Sequence, residues 1–133
     1  MQNRPAVTGL TASLDARLRE RLNWDGSMPV EAFPALWAHA SQDRDFAPGD
    51  EESSRQAGAQ LQAFLASLPS TPGPVAAVTH GGITTDLLCN LLGDDGLPPH
   101  LLDAGIPPCA VTAIDDLNVV MIASTAHLSL PPP

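Results

Sequence analysis

The residues best suited to chemistry in this chain are Thr79-His80-Gly81-Gly82, where an imidazole is followed by two residues without side chains. An imidazole can donate or accept a proton, and a glycine pair lets main-chain N–H groups approach a bound group closely. The apolar run 75–78 precedes the histidine and is bounded upstream by Pro72-Gly73-Pro74. It is too short for a helix and reads as a buried strand of a parallel sheet. Downstream, Ile83, Leu87, Leu88, Leu91 and Leu92 recur at helical spacing, and Gly93 is placed to cap the helix. His80 is therefore expected at a strand's carboxyl end, facing the positive end of a helix dipole, which is where open α/β sheets bind anions. The plainer alternative is a tight strand-to-helix turn whose histidine only hydrogen-bonds nearby backbone.

A second segment bears on that choice. Arg17-Leu18-Arg19-Glu20-Arg21-Leu22-Asn23-Trp24-Asp25-Gly26 lies well upstream and sets a carboxyl among three arginines. Together with Val78-Thr79-His80-Gly81-Gly82 it resembles the histidine phosphatase superfamily, also called phosphoglycerate mutase-like. Three further segments fit the family in order. Pro48-Gly49-Asp50-Glu51-Glu52-Ser53 with Arg55 resembles its Gly-Glu-Ser segment opening a long helix, residues 109–124 resemble its terminal strand pair, and Ala126-His127-Leu128 resembles its late His-Leu. The resemblance runs over roughly residues 10–128, and the order of the segments makes it specific.

By this resemblance the fold is a three-layer α/β/α domain. The activity is phosphoryl transfer through a phosphohistidine, with two histidines, two arginines and an acidic proton donor. His80 would be the second histidine, hydrogen-bonding the phosphoryl oxygens, and Glu20 the general acid that protonates the departing alkoxide. The main-chain N–H of Gly81 is a plausible phosphate donor from its place at the helix start. A surface salt-bridge cluster is the competing reading of Glu20. The expected ligand is a small phosphorylated substrate or inorganic phosphate, with no cofactor and no metal. Mutase and phosphatase chemistries are not separated, and the fold does not name the substrate.

The chain also departs from the family. Members begin with a strand ending in Arg-His-Gly, whose histidine is the nucleophile. Here the four histidines follow Ala38, Thr79, Pro99 and Ala126, so no Arg-His-Gly occurs. The expectation is a C-terminal portion lacking the first central strand, either because Met1 is not the true start or because the protein is a natural truncation. On its own it should have little phosphatase activity, and a non-catalytic phosphate-binding or interaction domain is the alternative. Without the neighbouring strand, the His80 strand keeps an open edge that invites a homodimer.

Composition bounds the rest. At 133 residues and 44% apolar, the chain suits one folded domain, 1–133, with residues 129–133 as a frayed tail. Fifteen acidic residues stand against six arginines and no lysine, a formal charge of −9 that opposes nucleic acid and anionic membranes. The sequence holds no apolar run near the roughly 20 residues a membrane span needs, and Met1-Gln2-Asn3-Arg4-Pro5 lacks the apolar core of a signal peptide. Two cysteines without metal-like spacing suit reduced thiols, so a cytoplasmic protein is expected. The histidines show no i, i+4 pairing for a metal, and no Gly-x-Ser-x-Gly marks a serine nucleophile.

The remaining elements follow from periodicity. A short edge strand is expected over 6–14. Val30, Phe33, Leu36 and Trp37 share a helix face, with Pro29 in its first turn and its end near Ala40. Ala57, Leu61, Phe64, Leu65 and Leu68 mark a second helix, with acidic residues 50–52 at its start. Leu101 and Leu102 suit a helical turn. Residues 111–114 and 119–122 read as antiparallel strands joined by 115–118.

Overall fold

Ser53 shows how local chemistry starts the main helices. Its hydroxyl accepts the Gln56 N–H at 3.2 Å while the Gln56 side chain accepts the Ser53 N–H at 2.9 Å, a reciprocal cap that opens α2 (Ser54–Ala66). A computed structural model describes residues 9–70 and 73–129 of the chain. Helix α1 (Phe33–Gln42) follows a 3-10 turn at Val30–Ala32, with proline in its first turn. Helix α3 (Gly81–Leu92) ends on Gly93 at φ +91°, whose N–H closes on the Cys89 carbonyl, as expected of a C-terminal glycine. Helix α4 (Pro99–Ala104) is six residues long and ends on Gly105, also at positive φ.

Helices α2 and α3 form the central packing pair. A Cβ on Gly58 would lie 2.5 Å from Asn90 Nδ2 and 2.6 Å from the Asp86 carbonyl oxygen, so the helices cross closely only because residue 58 has no side chain. Ala57, Leu61 and Phe64 of α2 meet Ile83 and Leu87 of α3 in one buried cluster, which Leu18 and Ile114 help to cover. The other side of α3 buries Leu88 and Cys89 with Leu97 and Leu101, backed by Val119 and Ile122. Helix α3 is thus covered on two sides, which explains why Leu87, Leu88 and Cys89 are buried in succession.

Strands β1 (Val111–Asp115) and β2 (Asn118–Ser124) form a two-stranded antiparallel sheet with Ile114 opposite Val119 and Asp115 opposite Asn118. Asp116 and Leu117 between them both have positive φ, the backbone of a two-residue hairpin turn. Two register shifts bend the pair, and Ala123, at φ +48°, donates its N–H to the Thr112 hydroxyl at 3.1 Å. Helices with this small sheet are compatible with an α/β protein.

One expected element differs. Residues 75–78 are neither buried nor part of a sheet: the described residues form only the β1–β2 pair, and Val75 is 51% and Val78 91% exposed. A strand is buried only when neighbouring strands take its main-chain groups and further layers cover its faces, and among the described residues no strand pairs with the segment. The edge strand expected over 6–14 is likewise not formed within residues 9–14, and residues 6–8 lie outside the described residues. Residues 130–133 of the expected tail also lie outside them.

Candidate functional site

His80 ends the extended segment and occupies the position preceding the first turn of α3, with φ −119° and ψ 156°. Its imidazole is exposed, and its carbonyl accepts the Thr84 hydroxyl at 2.7 Å and the Thr84 N–H at 3.2 Å. The segment before it is tied to the arginine-rich stretch by Thr79, whose hydroxyl donates to the Leu18 carbonyl at 2.6 Å. That tether brings residues 18–21 to the start of α3.

Glu20 consequently meets the glycine pair. Its Oε2 accepts the Gly82 N–H at 3.0 Å, and its Oε1 accepts the Arg21 N–H at 3.2 Å. A carboxylate on the free donors of a helix N-terminus is favourable, since those N–H groups carry the positive end of the macrodipole. A Cβ on Gly82 would lie 2.6 Å from both Glu20 oxygens and 2.5 Å from the Trp37 ring, so the contact requires glycine there. Gly81 is different: a Cβ would find only ordinary contact with Ile106 at 3.5 Å. The second glycine of the pair therefore admits the chain's own carboxylate rather than standing open.

The three arginines around Glu20 each take another carboxylate. Arg17 pairs with Asp15 at 2.7 Å, Arg19 lies 3.8 Å from Glu52, and Arg21 pairs with Asp86 at 2.6 Å. The Arg17 guanidinium holds the Asp15 carboxyl down at about 2. Arg55 pairs with Asp45 and Asp94 on the surface.

Sequence reasoning missed the buried polar network under this site. Arg21 and Asp86 are 3% and 2% exposed. Asp86 also accepts the Ser54 hydroxyl at 2.5 Å, and Arg44 donates to Ser54 Oγ and the Asp86 carbonyl, both at 3.0 Å, and to Asn90 and Asp94. Arg21 reaches Ser41 with Nη2 and stacks 4.7 Å from the Trp37 ring centroid, while its Nη1 is buried without a hydrogen-bond partner. Burial pushes the Asp86 carboxyl up to about 6, against the pull of the Ser54 hydroxyl and the Arg21 guanidinium. The available signal was Asp86 itself, an acid one residue before the apolar pair Leu87-Leu88 and facing inward with the helix stripe. A cavity of about 200 Å³ beside this network is lined by Arg21, Arg44, Gly81, Gly82, Thr85 and the apolar residues around Leu101.

Trp24 is half exposed, with its indole N–H fixed on the Met28 carbonyl at 2.8 Å. His39 stacks on Phe46, His100 lies in α4 and His127 in a 3-10 turn at Ala126–Leu128. Among the described residues no group of three or more His, Cys, Asp or Glu is placed to hold a metal ion, and no helix is long and apolar enough to cross a membrane.

No curated protein and no solved structure matches the chain. Its sequence does match the family model of the histidine phosphatase superfamily (branch 1) over residues 4–116, most of its length. With the histidine-glycine turn and the upstream glutamate meeting at the head of α3, the chain belongs to the histidine phosphatase superfamily.

Proposed function

We propose that this protein handles phosphomonoesters at the head of α3, with His80 and Glu20 as its catalytic groups and the Gly81 N–H as a phosphate donor. The observation that carries this reading is the meeting of Glu20 with Gly82, two residues past an exposed His80, across 62 positions of sequence. A nucleophilic histidine has to reach the site from a segment beyond these residues or from a partner chain, because none of the four here lies in an Arg-His-Gly. That imidazole would attack phosphorus as the P–O bond to the leaving group breaks. The Glu20 carboxyl would give its proton to the departing alkoxide, and His80 would hydrogen-bond the phosphoryl oxygens. Water would then release phosphate from the phosphohistidine, returning a proton to Glu20.

In the completed protein the extended segment 75–78 would serve as a central strand of a three-layer α/β/α domain, and 1–133 would form one domain of it. The exposure of Val75 and Val78 supports a strand edge open to pairing, whether by that segment or in a homodimer. The acidic charge and two free thiols suit a cytoplasmic protein that binds neither nucleic acid nor membrane.

A second reading, a phosphate-binding or interaction domain without chemistry, is favoured by the sequence, in which none of the four histidines follows an arginine. The test is an assay of the full chain with p-nitrophenyl phosphate, beside a titration with inorganic phosphate. Saturable phosphate binding lost in His80→Ala, without turnover, is expected of the chain alone. Turnover that returns when an Arg-His-Gly segment is joined to the chain selects the enzyme; no recovery selects the binding domain. Absence of phosphate binding would overturn both the enzyme and the phosphate-binding domain.

A further inference from the structure

Away from the His80 turn, an open cavity of about 330 Å³ lies between residues 22–28, helix α1 and the 46–51 loop. Its walls include three aromatic rings, Trp24, Phe33 and Phe46, and three carboxylates, Asp25, Asp50 and Glu51. Among the described residues no arginine or histidine lines it, and the chain has no lysine. Among the described residues none of the three carboxylates enters an ion pair; Asp25 accepts the Ser27 N–H at 2.9 Å.

The rings are held independently of any ligand. The Trp24 indole N–H is fixed on the Met28 carbonyl at 2.8 Å, Phe46 lies face to face with His39 at 4.0 Å between centroids, and Phe33 leans on Trp37 at 6.3 Å. Aromatic faces carry negative charge density and attract a cation laid against them, and nearby unpaired carboxylates add to that field. A bare metal ion would gain little from carbon walls, and an anion would be repelled by the rim. The volume suits a small molecule.

We propose that this cavity binds a small organic ammonium ion, its alkylated nitrogen against Trp24, Phe33 and Phe46 and its charge offset by Asp25, Asp50 and Glu51. The site lies outside the phosphate-handling groups and does not depend on their role.

The test is a titration of the isotopically labelled full chain with choline chloride, followed by two-dimensional amide NMR, beside its neutral isostere 3,3-dimethylbutan-1-ol. Choline is expected to give saturable shifts confined to residues 22–28, 33–36 and 46–51, with the alcohol giving none. The double variant Asp50→Asn, Glu51→Gln changes only exposed side chains and should weaken choline binding roughly tenfold. Trp24→Ala should weaken it by a similar factor. Equal response to the alcohol, shifts that rise linearly over the whole acidic surface, or no shift at all would each overturn the proposal. Loss of phosphate binding in His80→Ala with choline binding retained would leave it standing.

Discussion

Glu20 accepts the Gly82 main-chain N–H at 3.0 Å, so a carboxylate from far upstream closes the first turn of α3 at the point where a phosphate oxygen would also find a donor. The chain's own acid and an incoming anion therefore share one region of positive potential. Glu20→Gln keeps an accepting oxygen but removes the charge. It should raise the affinity for inorganic phosphate roughly fivefold, about the Coulomb cost of one nearby charge in water, and abolish turnover in any completed enzyme. Calorimetric titration of the variant checks the first outcome; unchanged or weaker binding would refute it.

The glycine pair should divide sharply on substitution. Gly82→Ala drives a methyl into Trp37 and Glu20 and is expected to cost about 1–3 kcal/mol, the usual range for overpacking. Gly81→Ala meets only ordinary contact with Ile106 and should stay within about 0.5 kcal/mol of the parent or exceed it through reduced backbone entropy. Urea denaturation of both variants measures the difference.

Arg21 and Asp86 make the most deeply buried ion pair among the described residues. Arg21→Met leaves an uncompensated carboxylate inside and should destabilise by about 3–5 kcal/mol at neutral pH. Combining it with Asp86→Leu removes both charges and should recover most of that loss. A double variant no more stable than the single one would show that the pair is not acting as a unit.

The same aspartate predicts a pH dependence. Burial raises its carboxyl to about 6 from an ordinary 3.8, so the folded chain holds this proton where the unfolded chain has released it. The stability it contributes is therefore full below 3.8 and lost as pH rises through about 6. Asp15 and Asp94, whose carboxyls are lowered chiefly by hydrogen bonds from Arg17 and Arg44, act oppositely and lose their contribution as pH falls. The difference between parent and Asp86→Asn, followed by denaturation between pH 4 and 7, isolates the first effect. A difference that does not vary with pH would contradict it.

Val78 is almost wholly exposed, and among the described residues no sheet engages its main chain. Val78→Lys should leave the denaturation midpoint within about 0.5 kcal/mol of the parent, as for surface changes generally, while shifting any self-association toward monomer. Sedimentation velocity over a concentration series reads the second outcome. An association constant unaffected by the lysine would place the contact elsewhere.

Much of this molecule could be read before any coordinates. Helices α1, α2 and α3 follow from apolar spacing and from Pro29, the acids 50–52 and Gly93 near their ends, because caps and amphipathic stripes are local properties of the chain, although Pro34 rather than Pro29 lies in the first turn of α1. The hairpin follows from two β-branched runs around a short polar link. The family is visible in the same way, through ordered short segments, and His80 falls at a helix start as its glycine neighbours imply.

Other features depend on what lies beside a residue in space. The run 75–78 has the composition of a buried strand, yet burial requires neighbours on two edges and two faces, and among the described residues no strand pairs with it. Nothing in the order of residues says that Glu20 would turn to Gly82 while Arg21, the next residue, goes beneath to Asp86; each contact spans more than 60 positions. Nor could charge alone reveal which arginines find which acids, since attraction is nondirectional and acts through space. Periodicity records which face of an element turns inward, but the partner it meets is settled only when the elements pack together.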